Sequence, residues 1–309
     1  MYIQKKNKKQ YRAFNRKENI AGYLFAAPSI LGFLLFTLGP MLISLVLSFT
    51  DYQIVGDIEF VGLNNYKTIF SGRDPYFYPA LKATFTYVAM SVPINIIFCF
   101  IIAMLLNFQK LRCRSIFRAI FYLPSIVPVA ATSMVWMWLL NPEFGLANIA
   151  LKAVGLKPSM WLYSEKTVIP SLVMVGVWST GNIAVIFLSG LQGIPKHLYE
   201  AVEIDGGGFL QKLFHITIPM MTPTIFYNLI MGLINGFQVF AQPYIMTQGG
   251  PNNSSLMYAY YLYRETFQFS QMGYGCAIAW ILFVIIAVFS AVIFSTSNRW
   301  VFYSGEGGN

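Results

Sequence analysis

The stretch Ile194–Pro219, IPKHLYEAVEIDGGGFLQKLFHITIP, decides how the rest of the chain is read. Its charges, from Lys196 to Lys212, stand between two long runs that hold no Asp, Glu, Lys or Arg. Pro195 suits the first position of a helix and Gly206 its stop, so 195–205 predicts a helix about 16 Å long. On it Leu198, Ala201, Val202 and Asp205 share one face, with Lys196, Glu200 and Glu203 elsewhere. After Gly206-Gly207-Gly208 a second pattern begins at Leu210, Leu213 and Phe214 and leads through Pro219 into an apolar run. A short helix with small residues, held by a glycine turn and joined to a membrane helix, has the geometry of a plug for a groove in a partner. Three acids, Glu200, Glu203 and Asp205, argue against a helix resting on the negative inner leaflet.

Outward from this segment the chain is apolar. It has 309 residues, 56% hydrophobic and 11% charged, with mean hydropathy +0.57, which excludes an ordinary soluble domain. Charge-free runs extend over Asn19–Thr50, Ala83–Gln109, Ala119–Pro142, Thr167–Pro195, Leu213–Tyr263 and Thr266–Asn298. Each can hold the roughly 20 apolar residues that cross a bilayer. The predicted spans are 22–49, 84–107, 117–140, 168–190, 221–245 and 274–297. The fifth run counts as one span plus a loop, because Gln248-Gly249-Gly250-Pro251-Asn252-Asn253 interrupts it. Pro40, Pro93, Pro124, Pro128 and Pro223 predict kinks in a helical bundle.

Several chemistries are excluded or disfavoured. The two histidines, His197 and His215, lack further ligands at zinc spacing, and no phosphate-cradling glycine motif is present, so no catalytic residue, metal ligand or cofactor is assigned to this chain. Cys99, Cys113 and Cys276 read as small hydrophobes. All acids lie in tails, loops or at span ends, whereas ion-coupled carriers commonly use an ionisable group at depth. Energy for transport would then come from another chain; an ion-coupled secondary sugar carrier working without an ATPase is the alternative.

Amides and hydroxyls do occur at membrane depth: Asn95, Thr132, Ser133, Ser179, Asn228 and others. Interhelical hydrogen bonds account for most of them. A subset lies next to aromatics, and Trp178, Thr180, Asn182, Asn235, Phe237, Gln238 and Gln242 are the candidate lining of a path for a neutral, hydroxyl-rich solute.

Glu200, Ala201, Asp205, Gly206, Ile216 and Pro219 fall at the positions of a signature, Glu-Ala-Ala, three residues, Gly, nine residues, Ile-x-Leu-Pro. The segment thereby resembles the permeases of binding-protein-dependent ABC importers. Val202 replaces the third small residue, Gly207 a usual Ala, and Ile218 the Leu. Further stretches, Phe60-Val61-Gly62-Leu63-Asn64-Asn65-Tyr66, Phe121-Tyr122-Leu123-Pro124, Gly145-Leu146-Ala147-Asn148 and Gln248-Gly249-Gly250-Pro251, are similar to the maltose-type carbohydrate uptake permeases. The resemblance implies an all-α membrane protein of six transmembrane helices with the type I ABC importer permease fold. It also implies a heterodimer with a second permease, two ATPase subunits that hold ATP-Mg and dock around Glu200–Gly206, and an extracellular solute-binding protein. Nucleic acid is not an expected partner.

The net charge of +9 then becomes a topology signal. Basic residues crowd 5–17 and 110–118, which places both ends on the cytoplasmic side of a bacterial cell membrane. The expected organisation is a basic cytoplasmic tail over 1–19, kept with the first helix over 20–50 rather than removed as a signal. An extracellular loop over 51–82 and a five-helix core over 83–298 follow. The core carries the inner loop 191–219, and a cytoplasmic tail spans 299–309. On this topology fourteen basic and five acidic residues lie inside, seven of each outside.

Overall fold

The computed structural model describes residues 21–54, 57–108 and 112–302. The basic tail 1–19, Lys110 of the second basic cluster and residues 303–309 lie outside the described residues. The architecture is helical, with two isolated bridges, Thr50–Phe60 and Gln53–Gln271. Its elements are α1 (Ala21–Leu47), α2 (Asn64–Phe70), α3 (Phe77–Asn107), α4 (Arg114–Ile126), α5 (Val129–Leu139), α6 (Leu146–Ala153) and α7 (Val168–Trp178). There follow α8 (Gly181–Gln192), α9 (Lys196–Ile204), α10 (Ile218–Phe237), α11 (Ala241–Met246), α12 (Tyr258–Tyr263) and α13 (Met272–Ser297).

α3 is the axis. Its 31 residues extend about 46 Å, and α7, α8 and α10 pack along it. One apolar cluster surrounds its first half, with Phe77, Tyr87, Leu172, Phe237, Tyr258 and Ile278. A second surrounds its last turns, where Cys99, Ile102 and Leu106 meet Phe187, Leu191, Ile216 and Met221. α1 touches little of this: none of its apolar window is buried.

The structure corrects the predicted spans. The third, 117–140, is not one straight helix: α4 and α5 meet at 98°. Pro128 holds Val127 in extended backbone (ψ 130°) and ends α4 there. The fourth, 168–190, bends by 55° between α7 and α8. The second begins at Phe77 rather than 84, because Lys82 stays exposed on the helix and does not interrupt it. The fifth is helical from Phe209, well before 221, to Met246, with a break after Phe237.

The break at Ser179-Thr180 is repaired locally. Ser179 Oγ donates to the Gly176 carbonyl (3.0 Å), Thr180 Oγ1 to that of Val177 (2.6 Å), and Cys99 Sγ to that of Thr180 (3.4 Å). A Cβ on Gly181 would stand 2.1 Å from the Phe121 carbonyl oxygen, so glycine is what lets α8 start against α4.

The remaining sequence motifs are loop scaffolds. Asn65 Nδ2 donates to the carbonyls of Ser48 (2.9 Å) and Thr50 (3.0 Å), tying α2 to the end of α1. Asn148 is buried and makes four bonds: its amide donates to Pro142 and Ser159, and its oxygen accepts from the Ser159 amide and the Trp161 indole, at 2.8–2.9 Å. Ser255 Oγ bonds Gly250 O (2.6 Å) and Thr247 Oγ1 (2.7 Å) in the Gln248–Pro251 loop. Asn148→Ala strands two donors, at about 1–3 kcal/mol each. Thermal unfolding of that variant should show a midpoint several degrees lower, while Asn235→Ala, which gives up no such bond, should unfold with the parent.

Candidate functional site

Two features stand out, at opposite ends of the second half of α3. The first is α9. Pro195 caps its start in extended backbone (ψ 132°), and Gly206 ends it at φ +77°. The Gly206 amide donates to Glu203 O (3.1 Å) and the Gly207 amide to Val202 O (2.7 Å), the paired bonds of a Schellman cap. Gln211 Oε1 accepts from the Gly208 amide (2.9 Å) and starts the next turn.

The face predicted for α9 is only partly the one used. Leu198 and Val202 pack on the inner apolar cluster, joined by Tyr199, while Ala201 and Asp205 are exposed. Tyr199 carries an anchor that the apolar spacing did not single out: its hydroxyl bonds Thr217 Oγ1 at 3.0 Å. Glu203 pairs with Lys212 across the turn. Through these bonds α9 is fixed to the segment Leu213–Thr217, a widened π turn that continues into α10.

The six candidate docking residues therefore divide. Glu200, Ala201, Asp205 and Gly206 are exposed on the helix and its turn. Ile216 is buried in the joint and Pro219 lies half-buried at the start of α10. Beside the exposed four lies an apolar patch of Ile204 (86% exposed), Phe209, Leu210 and Phe214. Exposed acids and exposed apolar side chains thus occur together on this short stretch of chain.

Val202 and Gly207 explain each other. A Cβ on Gly207 would lie 2.3 Å from Val202 Cγ1 and 2.8 Å from its carbonyl oxygen. Both the side chain and the backbone carbonyl of residue 202 thus stand where a side chain at 207 would go, and the two departures from the signature lie in direct contact.

The second feature is a cavity of about 340 Å³ between α3, α7, α8, α10 and α11, within the range of ligand sites. Of the candidate path residues it brings together Thr180, Asn182, Asn235 and Gln242. Ser91, Asn95, Tyr227 and Asn228 join them. Among the described residues none of the lining side chains is charged. Gln242 is buried, and its Nε2 donates to Leu172 O (2.8 Å), which fixes α11 on α7 and turns the amide oxygen away from that carbonyl. Asn228 Nδ2 donates to Thr224 O (2.8 Å).

Trp178, Phe237 and Gln238 are not part of it. Trp178 stands edge-on to Trp136 (5.9 Å). Phe237 is buried between Phe85 (5.1 Å) and Phe289 (5.6 Å). Gln238 follows the end of α10 and is exposed. The cavity wall follows helical spacing rather than adjacency in sequence: Tyr227, Met231 and Asn235 recur every four residues, as do Asn228, Gly232 and Gly236, and all line it. Ser91 and Asn95 of α3 show the same spacing.

Residues 95–300 match the family described as binding-protein-dependent transport system inner membrane component. The chain belongs to this family. The permease is 39% identical to the probable ABC transporter permease protein YesP of Bacillus subtilis, over 94% of each chain. It is 33% identical to the arabinooligosaccharides transport system permease protein AraP of the same organism, over 93% of this chain and 90% of that one. In structure it resembles a chain of a bacterial alginate ABC transporter crystallised with a pentasaccharide-bound periplasmic protein. The TM-score is 0.80 at 23% identity, over 92% of this chain and 96% of that one. The fold is that of type I ABC importer permeases, and membership sets aside the ion-coupled carrier. The permease is a membrane component that works with a binding protein, and chemistry on ATP falls to a separate subunit in such systems.

In the permease the pair at the α9 turn can be tested by a double-mutant cycle. Gly207→Ala should lower the unfolding midpoint, and Val202→Ala in the same chain should restore part of the loss, that due to the Val202 Cγ1 contact, a coupling of about 1 kcal/mol. Additive midpoints would mean that the two side chains do not meet.

Proposed function

We propose that the permease forms, with a second permease subunit, the membrane path for an oligosaccharide or related polyhydroxylated solute handed over by an extracellular binding protein. The observation that carries this reading is the uncharged cavity lined by Ser91, Asn95, Thr180, Asn182, Asn235 and Gln242. Hydroxyl-rich solutes are oriented by such donors and acceptors, while an ion would need a counter-charge. Relatives named for arabinooligosaccharide, lactose and trehalose/maltose transport support a carbohydrate cargo.

In this reading two ATPase subunits, which hold ATP-Mg, bind at α9 through Glu200, Ala201, Asp205, Gly206 and the neighbouring apolar patch. The exposed α1 is the surface for the second permease and for lipid. The excess of basic residues in 5–17 and 110–118 orients α9 and both termini to the cytoplasm of a bacterial cell and leaves the α12 side outside. Movement of α9 reaches the cavity because Tyr199 and the Glu203–Lys212 pair fix it to the helix that carries Asn228 and Asn235. Binding energy at α9 shifts the cavity between two openings only if its contacts differ in strength between them.

Two variants separate path from coupling. With binding protein and ATPases present, Asn235→Ala should leave the assembled complex intact and reduce solute uptake about tenfold, the effect of one lost polar contact of roughly 1.4 kcal/mol. Unchanged uptake would remove the cavity from the path. Glu200→Lys, or Gly206→Val, which forces a β-branched residue into left-handed backbone, should release the ATPases from membranes that still contain the inserted permease. Undiminished co-purification of the ATPases would place their contact elsewhere.

A further inference from the structure

α4 runs from a basic end into an apolar crevice. Between Ala83 and Pro142 the chain holds no acid, and its cations there are Lys110, Arg112, Arg114 and Arg118. Among the described residues the one ion pair is Glu203 with Lys212, so Arg112, Arg114 and Arg118 meet no carboxylate there. Arg114 Nη2 donates to the Phe108 carbonyl (2.7 Å), which ties the start of α4 to the end of α3. Arg118 is held differently. Its Nε is buried and, among the described residues, has no hydrogen-bond partner. An enclosed donor on a cation is costly without an acceptor, and an anionic oxygen from outside the chain would supply one.

The crevice begins about one turn further along α4. It holds about 170 Å³ between α3, α4 and the junction of α7 with α8, and Phe98, Ile102, Ile120, Phe121, Pro124 and Trp178 stand on its walls. Phe98, Ile120 and Trp178 are between 39% and 57% exposed, so the crevice is open at its side. Polar atoms on the walls are spent within the chain: Thr180 Oγ1 on the Val177 carbonyl (2.6 Å) and Cys99 Sγ on that of Thr180 (3.4 Å). Arg114, Arg118 and Phe121 follow at i, i+4 and i+7 and share a face of α4, with Phe121 about 4.5 Å along the axis from Arg118. Ile120, Phe121 and Pro124 belong to the charge-free run Ala119–Pro142, at membrane depth. A soluble anion makes no use of an apolar crevice, and an apolar helix makes no use of an unpaired guanidinium. One helix that offers both fits a phosphate joined to a hydrocarbon chain.

We propose that α4 carries a binding site for an anionic phospholipid, with the phosphate at Arg114 and Arg118 and one acyl chain in the crevice between α3, α4 and α8. Thr180 lines both this crevice and the polar cavity. A seated chain therefore braces, from the lipid side, the helix break that forms part of the cavity wall. Only the leaflet rests on the orientation proposed above, which makes it the inner one.

The full permease in detergent, titrated with dioleoyl phosphatidylglycerol or dioleoyl phosphatidylcholine and followed by native mass spectrometry, tests the site with no solute present. The parent should retain one phosphatidylglycerol at about tenfold lower lipid concentration than phosphatidylcholine. Arg118→Gln should abolish that preference and bind phosphatidylcholine as the parent does. Arg114→Gln carries the same expectation and keeps the test open should Arg118→Gln fail to fold. Ile120→Trp, which fills the crevice and keeps both arginines, should also weaken retention of phosphatidylglycerol. Excess inorganic phosphate should leave the lipid bound. Equal retention of the two lipids by the parent would overturn the proposal, and so would an undiminished preference in folded Arg118→Gln or Arg114→Gln. Full retention by Ile120→Trp, or displacement by inorganic phosphate, would reduce the site to its charges and overturn it as well. Unfolding midpoints in phosphatidylcholine keep loss of binding apart from loss of fold. None of these readouts depends on transport, so they stand or fall apart from the solute path.

Discussion

Lipid offers no hydrogen-bond partner, and an interrupted helix at membrane depth must recover its freed carbonyls from its own neighbourhood. The junction of α7 and α8 shows how this constraint organises the permease. Ser179, Thr180 and Cys99 cover the carbonyls of Gly176, Val177 and Thr180, and Gly181 lets the new helix start directly on α4. Ser179 and Thr180 also line the polar cavity. Groups that repair the backbone are thus the groups that make the interior wettable, and the polar cavity lies where a helix breaks. Straight spans would have closed the same region with Leu and Val.

The spans were legible in the sequence because charge is so costly in hydrocarbon that its absence marks them; their interior geometry was not. The position of the second basic cluster and the glycine stop at Gly206 could be read from local chemistry, and α9 falls where Pro195 and Gly206 set it. The right-angled turn at Val127-Pro128 could not, since a proline in a membrane helix produces anything from a slight kink to a reversal, depending on what packs beside it. Thr180, Asn182, Asn235 and Gln242 converge on the cavity. Trp178, Phe237 and Gln238 point elsewhere, because one step along a helix turns a side chain by about 100°.

Short motifs outside the spans proved to be architecture rather than chemistry. Asn65 and Asn148 each tie separate segments together by their amides, and Ser255 closes its own loop. Loops held this way are presented as fixed surfaces. At the other end of the bundle α9 is equally fixed, by Tyr199 and by Glu203 with Lys212, to the turn that becomes α10. A continuous chain of contacts therefore joins the exposed face of α9 to the wall of the cavity, with a π turn between them.

The interlock of Val202 with Gly207 has a bearing on how such segments can be exchanged. Judged one position at a time, each residue differs from the signature by a methyl group or two and would be scored as harmless. Together they behave as a two-part key: a graft that imports one half from a relative with the Ala-type turn sets a methyl group against Val202 Cγ1. The smallest portable unit of this loop is the whole turn from 202 to 207, so hybrids between permeases should be joined outside it.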